Sequence, residues 1–261
     1  MTGAAMIMVA GIDTGAPGPG CPFGLVRPWG REGEQLPPPF YCRSPGLGRG
    51  MTKPKADFTR ETAALARGAL FVVGVDEVGR GPLAGPVTAA AVRLDPANIP
   101  EGLADSKALS AARRDRLFDV LMKVAQVSIA HASVAEIDSL NILRASHLAM
   151  ERAIAGLPAA DHALVDGNLL PQGLTLSAEA VVKGDAKSLS IAAASICAKV
   201  TRDRMMVDLA QQYPGYGWEV NAGYPTKAHL TALLNLGATP VHRRSFRPVH
   251  NILYQEKSVN P

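Results

Sequence analysis

Short apolar runs along the chain predict a β-sheet. Residues 69–75 and 87–94 are rich in β-branched side chains, and a glycine- and proline-rich stretch separates them. Because the connection is so short, we expect these two strands to be neighbours that pair antiparallel. Further apolar runs at 127–134, 163–165 and 180–182 predict three more strands.

Three other segments carry apolar residues at helical spacing and predict amphipathic helices. The first follows Ser110, a candidate N-cap; the second begins at Asn141; the third extends from residue 189 to about residue 212. Their stripes are Leu117, Val120, Leu121 and Val124; Leu143, His147, Met150 and Ile154; and Leu189, Ala193, Ile196 and Val200. His147 is therefore expected to pack rather than bind a ligand. Strands followed by alternating strands and helices indicate an α/β fold, a mixed sheet with helices packed on it.

The first 50 residues have a different character. They contain 11 of the 25 glycines and 8 of the 20 prolines and show no helical or strand period. Such a segment buries too little apolar surface to offset the entropy of ordering it. We expect residues 1–57 to form a disordered N-terminal extension and residues 58–261 to form one catalytic domain. Met51 opens the regular sequence, so a translation start there is an alternative that the sequence leaves open.

Composition narrows the class of protein. The chain has 261 residues, 47% hydrophobic and 19% charged, enough for a large core. No uncharged apolar run reaches the roughly 18 residues that cross a bilayer, so we expect no membrane association. The net charge of +4 is compatible with a polyanionic partner. Cys21, Cys42 and Cys197 lack CxxC spacing, and the N-terminus does not resemble a secretory signal, which favours a cytoplasmic location.

Acidic residues stand where predicted strands end. Asp76 and Glu77 follow one strand, Asp166 follows another, and Asp185 comes shortly after a third. Ligands of open α/β sheets bind at this edge, and carboxylates gathered there repel unless cations neutralise them, which suits Mg²⁺ or Mn²⁺. Each acid alone could instead serve a turn, a cap or a solvated strand end. Neighbouring strand residues point to opposite faces, so Glu77 can join Asp76 only if the strand ends or twists there.

Small and basic residues accompany these acids. Gly79, Arg80 and Gly81 would let backbone N–H groups approach a ligand beside a guanidinium. Lys107 and Lys183 lie in predicted loops or helix starts, where they could contact phosphates.

The C-terminal third adds an aromatic residue and a basic cluster. Tyr224 lies in a turn and could stack on a base or sugar. The cluster consists of His242, Arg243, Arg244 and Arg247, and it fits a polyanion contact and a solvated helix face equally well.

A dinucleotide-binding site is a weaker alternative. Gly79, Gly81 and Ala84 satisfy the pattern G-x-G-x-x-A after a strand, the weak form of the nicotinamide-cofactor fingerprint. However, Pro82 and Gly85 interrupt the place where its helix should begin, and a strand is predicted next. This context argues against an oxidoreductase.

Seven blocks of the sequence together resemble a known family. They are GVDEVGRGPLAGPV (74–87), LADSKALS (103–110), VDGN (165–168), VVKGD (181–185), AAASICAKVTRDR (192–204), GYPTKAH (223–229) and HRRSF (242–246). Their order and composition closely resemble bacterial ribonuclease HII over about residues 70–250. The resemblance implies the ribonuclease H-like fold, with a five-stranded mixed sheet flanked by helices and a helical C-terminal part.

The resemblance also implies the chemistry. Asp76, Glu77, Asp166 and Asp185 would be the catalytic residues and would hold two divalent ions, Mn²⁺ or Mg²⁺, with Asp76 bridging both. Water would attack the phosphodiester and leave 3′-hydroxyl and 5′-phosphate ends. The substrates would be RNA–DNA hybrids and duplex DNA containing single ribonucleotides, nicked 5′ to the ribonucleotide. We expect the protein to act as a monomer.

The family's substrate-binding residues carry over as well. The resemblance implies that Gly79, Arg80 and Gly81 read the ribose 2′-hydroxyl and that Tyr224 stacks at the RNA–DNA junction. Lys107 and Lys183 resemble the family's phosphate contacts. A non-catalytic hybrid-binding module would use the same groove but would bind equally well in EDTA.

Overall fold

The computed structural model describes residues 56–104 and 106–254, which lie in one compact unit, Met51–Pro261. The strands are β1 (Val72–Val78), β2 (Val87–Arg93), β3 (Gln126–Ala132), β4 (His162–Asp166) and β5 (Ser177–Val181). The helices are α1 (Thr59–Ala66), α2 (Ala111–Val124), α3 (Val134–Leu140), α4 (Ile142–Ala155), α5 (Leu189–Gln212), α6 (Trp218–Asn221), α7 (Lys227–Leu236) and α8 (Arg247–Tyr254). Short 3₁₀ turns occupy Ser106–Ala108 and Gly184–Ala186.

The five strands form one mixed sheet in the order β3-β2-β1-β4-β5. β1 pairs antiparallel with β2, as the sequence predicts, and parallel with β4, which in turn is parallel to β5. Val75 of β1 pairs with Val165 of β4. The next residues of these two strands, Asp76 and Asp166, therefore follow in step and project to the same face of the sheet.

Helices cover both faces of the sheet. Val75 and Val165 belong to the core on the α4 side, whereas Ala90 of β2 packs with the buried residues of α5 on the other side. A Cβ atom built on Gly74 would lie 2.1 Å from the backbone carbonyl carbon of Ser190, so the start of α5 crosses β1 in direct contact. Cys197 of α5 is a buried free thiol.

Helices α6, α7 and α8 form a further C-terminal layer with the end of α5. Its buried core contains Met206, Tyr216, Trp218, Leu233 and Val249, together with Leu83 and Ala84 from the segment before β2. This core therefore joins the C-terminal helices to the chain that leaves β1. None of the helices in the described ranges has the length and hydropathy needed to cross a bilayer.

The element boundaries differ from the predictions at several points. β1 continues through Val78, because β2 still pairs with it at Thr88, so Asp76 and Glu77 lie within the strand and not after it. β5 ends at Val181. Val120, predicted in the apolar stripe of α2, is 42% exposed. Ser110 stands at the N-cap of α2 without donating or accepting a side-chain capping bond.

The N-terminal boundary of the folded domain lies slightly earlier than predicted. Residues 1–55 of the predicted extension are outside the described part of the chain. Ala56 is buried, and Asp57 forms a parallel bridge with Ser188 just before α5. These two residues, assigned to the extension from the sequence, belong to the folded domain.

Candidate active site

Asp76 and Asp166 form the centre of the site. They project to the α5 face from adjacent parallel strands, one step beyond the Val75–Val165 pair. Asp76 is buried, and its Oδ1 accepts a hydrogen bond of 2.8 Å from the backbone N–H of Glu77. Oδ1 of Asp166 accepts a hydrogen bond of 2.6 Å from the backbone N–H of Gly184. Strand register thus brings together two acids that lie 90 residues apart in the sequence.

Asp185 reaches the same edge through a turn. It lies in the 3₁₀ turn Gly184–Ala186, between β5 and α5, and it is buried. A Cβ atom built on Gly184 would lie 3.2 Å from Oδ1 of Asp166, so the turn packs directly against that carboxylate. The hydrogen bond from Gly184 to Asp166 holds this approach, which places Asp185 beside Asp166.

Glu77 occupies a different position from the other three acids. It pairs across from Ala89, so alternation along β1 places its Cβ on the α4 face, while its carboxylate still interacts electrostatically with Asp76 and Asp166. Only Val78 follows before the strand ends. The Oε1 atom of Glu77 lies 3.2 Å from Nη1 of Arg80, and this ion pair is partly exposed. The structure therefore places Glu77 at the rim of the site, beside the loop that contains Arg80.

The electrostatics of the site favour a bound cation. Burial raises the pKa of Asp76 well above its ordinary value, and the carboxylates of Glu77 and Asp166 raise it further, while a hydrogen bond with the Ser195 hydroxyl opposes the shift. Burial also raises the pKa of Glu77, and the Arg80 guanidinium counteracts that rise. A divalent cation would offset the repulsion between these carboxylates and stabilise their ionised forms. Carboxylate oxygens are also the ligands that Mg²⁺ and Mn²⁺ prefer.

The carboxylates do not already form a coordination sphere. Across residues 56–104 and 106–254, no three His, Cys, Asp or Glu side chains are gathered closely enough to hold a metal ion. The acids at this edge fit a cation by chemistry and electrostatics, and binding one would draw their oxygens closer together.

Ser195 is a site residue that the sequence reasoning missed. It lies in α5, and its hydroxyl is bonded both to Asp76 and, at 2.8 Å, to the hydroxyl of Ser106. Ser106 begins the turn that contains Lys107. The serine pair therefore connects the Lys107 turn to the buried carboxylate. The only sequence signal was the position of Ser195 on the buried side of an alanine-rich helix.

The Gly79–Arg80–Gly81 segment follows β1 directly and packs against two buried arginines, Arg202 and Arg243. Gly79 has a φ of 96°, and a Cβ atom there would lie 2.2 Å from Nε of Arg202. Arg80 and Gly81 are exposed. Gly79 is buried, so Arg80 and Gly81 are the residues of this segment that face solvent next to the acidic edge, and their contact with a ribose stays a prediction.

Arg243 corrects one prediction. The sequence left it equally placed in a polyanion contact or a solvated helix face, yet its side chain is fully buried. The guanidinium donates five hydrogen bonds of 2.6–3.2 Å to backbone carbonyls, those of Gly79, Arg80, Pro82, Gly85 and Pro86. Burial lowers its pKa to about 9, so it remains a cation at neutral pH. His242 is also buried, and Arg244 and Arg247 are exposed.

Arg202 makes a similar set of bonds from α5. Its guanidinium donates to the carbonyls of Ala84, Pro86 and Ala222 at 3.0–3.1 Å. Burial lowers its pKa to about 10. Because Ala222 lies two residues before Tyr224, Arg202 ties the loop after β1 to the segment that carries the aromatic side chain.

The remaining predicted contact residues lie around this edge. Tyr224 is 41% exposed, and a Cβ atom on Gly81 would lie 3.2 Å from its ring, so the two residues are in contact. Lys183 is exposed, adopts a left-handed conformation with φ 55°, and immediately precedes Gly184. Lys107 is exposed in its 3₁₀ turn. Lys183 therefore adjoins Gly184, which donates to Asp166, whereas Lys107 adjoins Ser106, which is bonded to Ser195.

The dinucleotide alternative does not fit the fold. In the described segment from Gly79 to Pro86, the chain turns and enters β2 at Val87, where the fingerprint requires a helix.

Comparison with known proteins identifies the family of the chain. The family model for ribonuclease HII matches residues 73–249. The ribonuclease HII of Ruegeria pomeroyi is 66% identical over 234 residues, covering 88% of this chain and 98% of that protein. The ribonuclease HII of Cereibacter sphaeroides (strain ATCC 17029) is 71% identical over 206 residues, covering 78% of this chain and 97% of that protein.

Solved structures show the same fold. The chain resembles the ribonuclease HII of Archaeoglobus fulgidus, solved as a complex with PCNA, with a TM-score of 0.59 at 26% identity. That similarity covers 68% of this chain and 96% of the other. The ribonuclease H2 of Pyrococcus horikoshii gives a TM-score of 0.55 at 27% identity, covering 70% of this chain and 97% of the other. On the family match and these identities, the chain belongs to the ribonuclease HII family and is a ribonuclease H, an endonuclease that hydrolyses phosphodiester bonds.

Proposed function

We propose that this ribonuclease H cleaves the RNA strand of RNA–DNA hybrids and nicks duplex DNA 5′ to single ribonucleotides. The observation that carries the proposal is the pairing of Asp76 and Asp166 in step on neighbouring strands, with Asp185 on the turn bonded to Asp166. This acidic edge adjoins the exposed Arg80 and Gly81 and the ring of Tyr224. A site for phosphodiester chemistry thus lies beside a surface that can contact a sugar and its neighbours.

Asp76, Glu77, Asp166 and Asp185 are the proposed catalytic residues and ligands of two divalent ions, Mn²⁺ or Mg²⁺. Bound ions of this kind lower the pKa of a water nucleophile and neutralise the departing 3′-oxygen. Asp76 is the proposed central ligand because it is buried and the charges of Glu77 and Asp166 raise its pKa beyond the effect of burial. The Ser195 hydroxyl orients it, and the Gly184 N–H orients Asp166. The resulting ends are a 3′-hydroxyl and a 5′-phosphate.

Substrate selection is assigned to the loop after β1 and to Tyr224. Gly79, Arg80 and Gly81 present their backbone to the ribose, where the 2′-hydroxyl distinguishes RNA from DNA. Tyr224 stacks at the junction, and its contact with Gly81 keeps the two recognition elements adjacent. Lys107 and Lys183 contact flanking phosphates, which adds affinity without sequence preference. We also propose that the protein acts as a cytoplasmic monomer.

The test uses the purified protein and a labelled DNA duplex that contains one ribonucleotide. The protein and the duplex are incubated together in Mg²⁺, in Mn²⁺ and in EDTA. Two controls are run in the same way: the protein with an all-DNA duplex, and the Asp76→Asn variant with the ribonucleotide-containing duplex. The expected result is a metal-dependent nick 5′ to the ribonucleotide that is absent from both controls. Cleavage of RNA–DNA hybrid without any nick at a single ribonucleotide would reject the substrate assignment. If the protein binds the hybrid equally well with metal and with EDTA and cleaves it in neither Mg²⁺ nor Mn²⁺, a hybrid-binding module would be favoured.

A further inference from the structure

A buried hydrogen-bond network lies directly under Tyr224. Its members are Trp218, His229 and His242, whose side chains are at most 1% exposed. His229 is in the first turn of α7, and its Nδ1 lies 2.9 Å from the carbonyl oxygen of Tyr224. Its Nε2 lies 3.0 Å from Nε1 of Trp218 and 3.3 Å from Nε2 of His242. The site chemistry described above uses none of these three side chains.

The partners of each ring fix one arrangement of protons. A carbonyl oxygen only accepts, so His229 must carry its proton on Nδ1 and donate it to Tyr224. The indole N–H of Trp218 only donates, so Nε2 of His229 must be unprotonated. The backbone N–H of Thr239 donates to Nδ1 of His242 at 2.9 Å, which leaves the proton of His242 on Nε2, facing His229. Both histidines are neutral in this arrangement, and the N–H groups of Trp218 and His242 share the single lone pair on Nε2 of His229. Burial lowers the pKa of each histidine, which favours the neutral form.

The network joins Tyr224 to the loop that follows β1. Ala84 forms an antiparallel bridge with His242, and the backbone N–H of Arg243 donates to Leu83 at 2.8 Å. The Arg243 side chain then holds the carbonyls of Gly79 and Arg80. The chain of contacts runs from the carbonyl of Tyr224 through the two imidazoles to the segment under the Gly79–Arg80–Gly81 backbone.

We infer that His229 is a positioning residue for recognition of the ribonucleotide: its Nδ1–H holds the Tyr224 backbone and keeps the ring against Gly81, while His242 ties this hold to the Arg243 segment. The inference rests on the proposed role of Tyr224 at the junction. In this role His229, which does not touch the substrate, sets the distance between the Tyr224 ring and the Gly79–Arg80–Gly81 loop.

Two substitutions separate positioning from packing. The side-chain nitrogen of Asn lies as many bonds from Cβ as Nδ1 does, so His229→Asn can keep the donor to Tyr224 and loses the contacts to Trp218 and His242. The amide group of Gln lies as far out as Nε2, so His229→Gln can keep a partner for Trp218 and loses the donor to Tyr224. A positioning role makes Gln the more damaging change for activity. A packing role makes Asn the worse one, because it leaves a buried indole N–H unpaired.

Cleavage kinetics are measured for both variants on the single-ribonucleotide duplex and on a long RNA–DNA hybrid. Loss of one neutral hydrogen bond corresponds to about a two- to ten-fold effect, so His229→Gln should lower kcat/KM by that factor on the single-ribonucleotide duplex, mainly through KM. The same variant should change hybrid cleavage less, and His229→Asn should stay close to the parent on both substrates. His250→Gln, the same substitution at an exposed histidine, is the matched control.

The outcomes separate this inference from the function on which it rests. In a Tyr224→Ala background, His229→Gln should add no further loss, since the ring it positions is gone. If Tyr224→Ala itself cleaves single ribonucleotides normally, the proposed role of Tyr224 fails. If Tyr224→Ala is impaired while His229→Asn and His229→Gln lose equal activity, only the positioning role fails. Should either variant not fold, ¹⁵N NMR of the parent decides: a proton on Nε2 of His229 would overturn the inference.

Discussion

Replacing the buried aspartate should abolish activity and at the same time stabilise the protein without metal. Asp76→Asn removes a carboxylate whose pKa is raised by burial and by the charges of Glu77 and Asp166. Asn is nearly isosteric and can still accept the hydrogen bond from the Glu77 N–H, which spans 2.8 Å in the parent. The substitution therefore deletes an unfavourable charge and leaves the packing in place.

The magnitude and its pH dependence follow from linkage. Each unit by which folding raises a carboxyl pKa costs about 1.4 kcal/mol once the group is ionised in both states. For a domain of this size, 1 kcal/mol shifts Tm by about 2 to 4 °C, so the expected gain is about 3 to 6 °C per pKa unit. Because the folded pKa lies above the unfolded one, parental stability is lost as pH rises through the folded pKa. The advantage of Asp76→Asn should be greatest at high pH and vanish in acid.

The assay is thermal unfolding in EDTA at several pH values, with cleavage measured in Mn²⁺ on the same preparations. Glu77→Gln is the matched control and should gain less, because Arg80 already offsets part of the rise in the Glu77 pKa. Adding Mn²⁺ should raise the Tm of the parent more than that of Asp76→Asn, since bound metal stabilises the folded state. The reasoning is refuted if Asp76→Asn lowers Tm at high pH in EDTA, or if its effect does not vary with pH.

Three further predictions concern recognition and folding. Tyr224→Ala should reduce nicking at single ribonucleotides more than it reduces duplex binding, because stacking positions the junction while basic residues supply affinity; equal losses in nicking and binding assays would contradict this. The pKa of His242 is lowered to about 4, so protonation of the unfolded state should remove up to about 3 kcal/mol of stability between pH 6.5 and pH 4. Urea unfolding of the parent and of His242→Gln tests this: a variant with the same acid slope as the parent would count against it. Gly74→Ala would place a Cβ 2.1 Å from Ser190, and it should lower the free energy of unfolding by about 3 kcal/mol; an unchanged Tm would show that the α5 contact can yield.

Local pattern was enough to predict the sheet and the acids at its edge. Short apolar runs predict strands from the sequence alone, and Asp166 follows such a run directly while Asp185 follows one after Lys183 and Gly184. Register was not predictable, since the step that aligns Asp76 with Asp166 depends on how β1 and β4 pair, and these two acids lie 90 residues apart in the sequence. The same pairing assigns Glu77 to the opposite face. The seven-block resemblance named all four acids but contained no information on which of them is buried.

The buried arginines escaped prediction for a different reason. Arginine is almost never fully buried without a partner, and neither Arg202 nor Arg243 has a carboxylate among its hydrogen-bond partners. Their partners are backbone carbonyls of a loop, which have no sequence signature. A run of basic residues at 242–244 therefore suggests a surface for polyanions, whereas its central residue serves the interior.

These two groups of charges carry opposite energetic signs. The carboxylates repel one another and are desolvated, so the acidic edge opposes folding until a cation binds. The Arg243 guanidinium donates to five backbone carbonyls, of which only that of Pro86 also accepts from Arg202, so these bonds favour folding with or without metal. Substitutions at the two places should consequently have different effects. Replacing Asp76 should lower activity and raise stability, whereas replacing Arg243 should lower both activity and stability. The hydrogen bonds that hold the loop after β1 are thus independent of metal, and the loop is preorganised for the substrate contact that we propose.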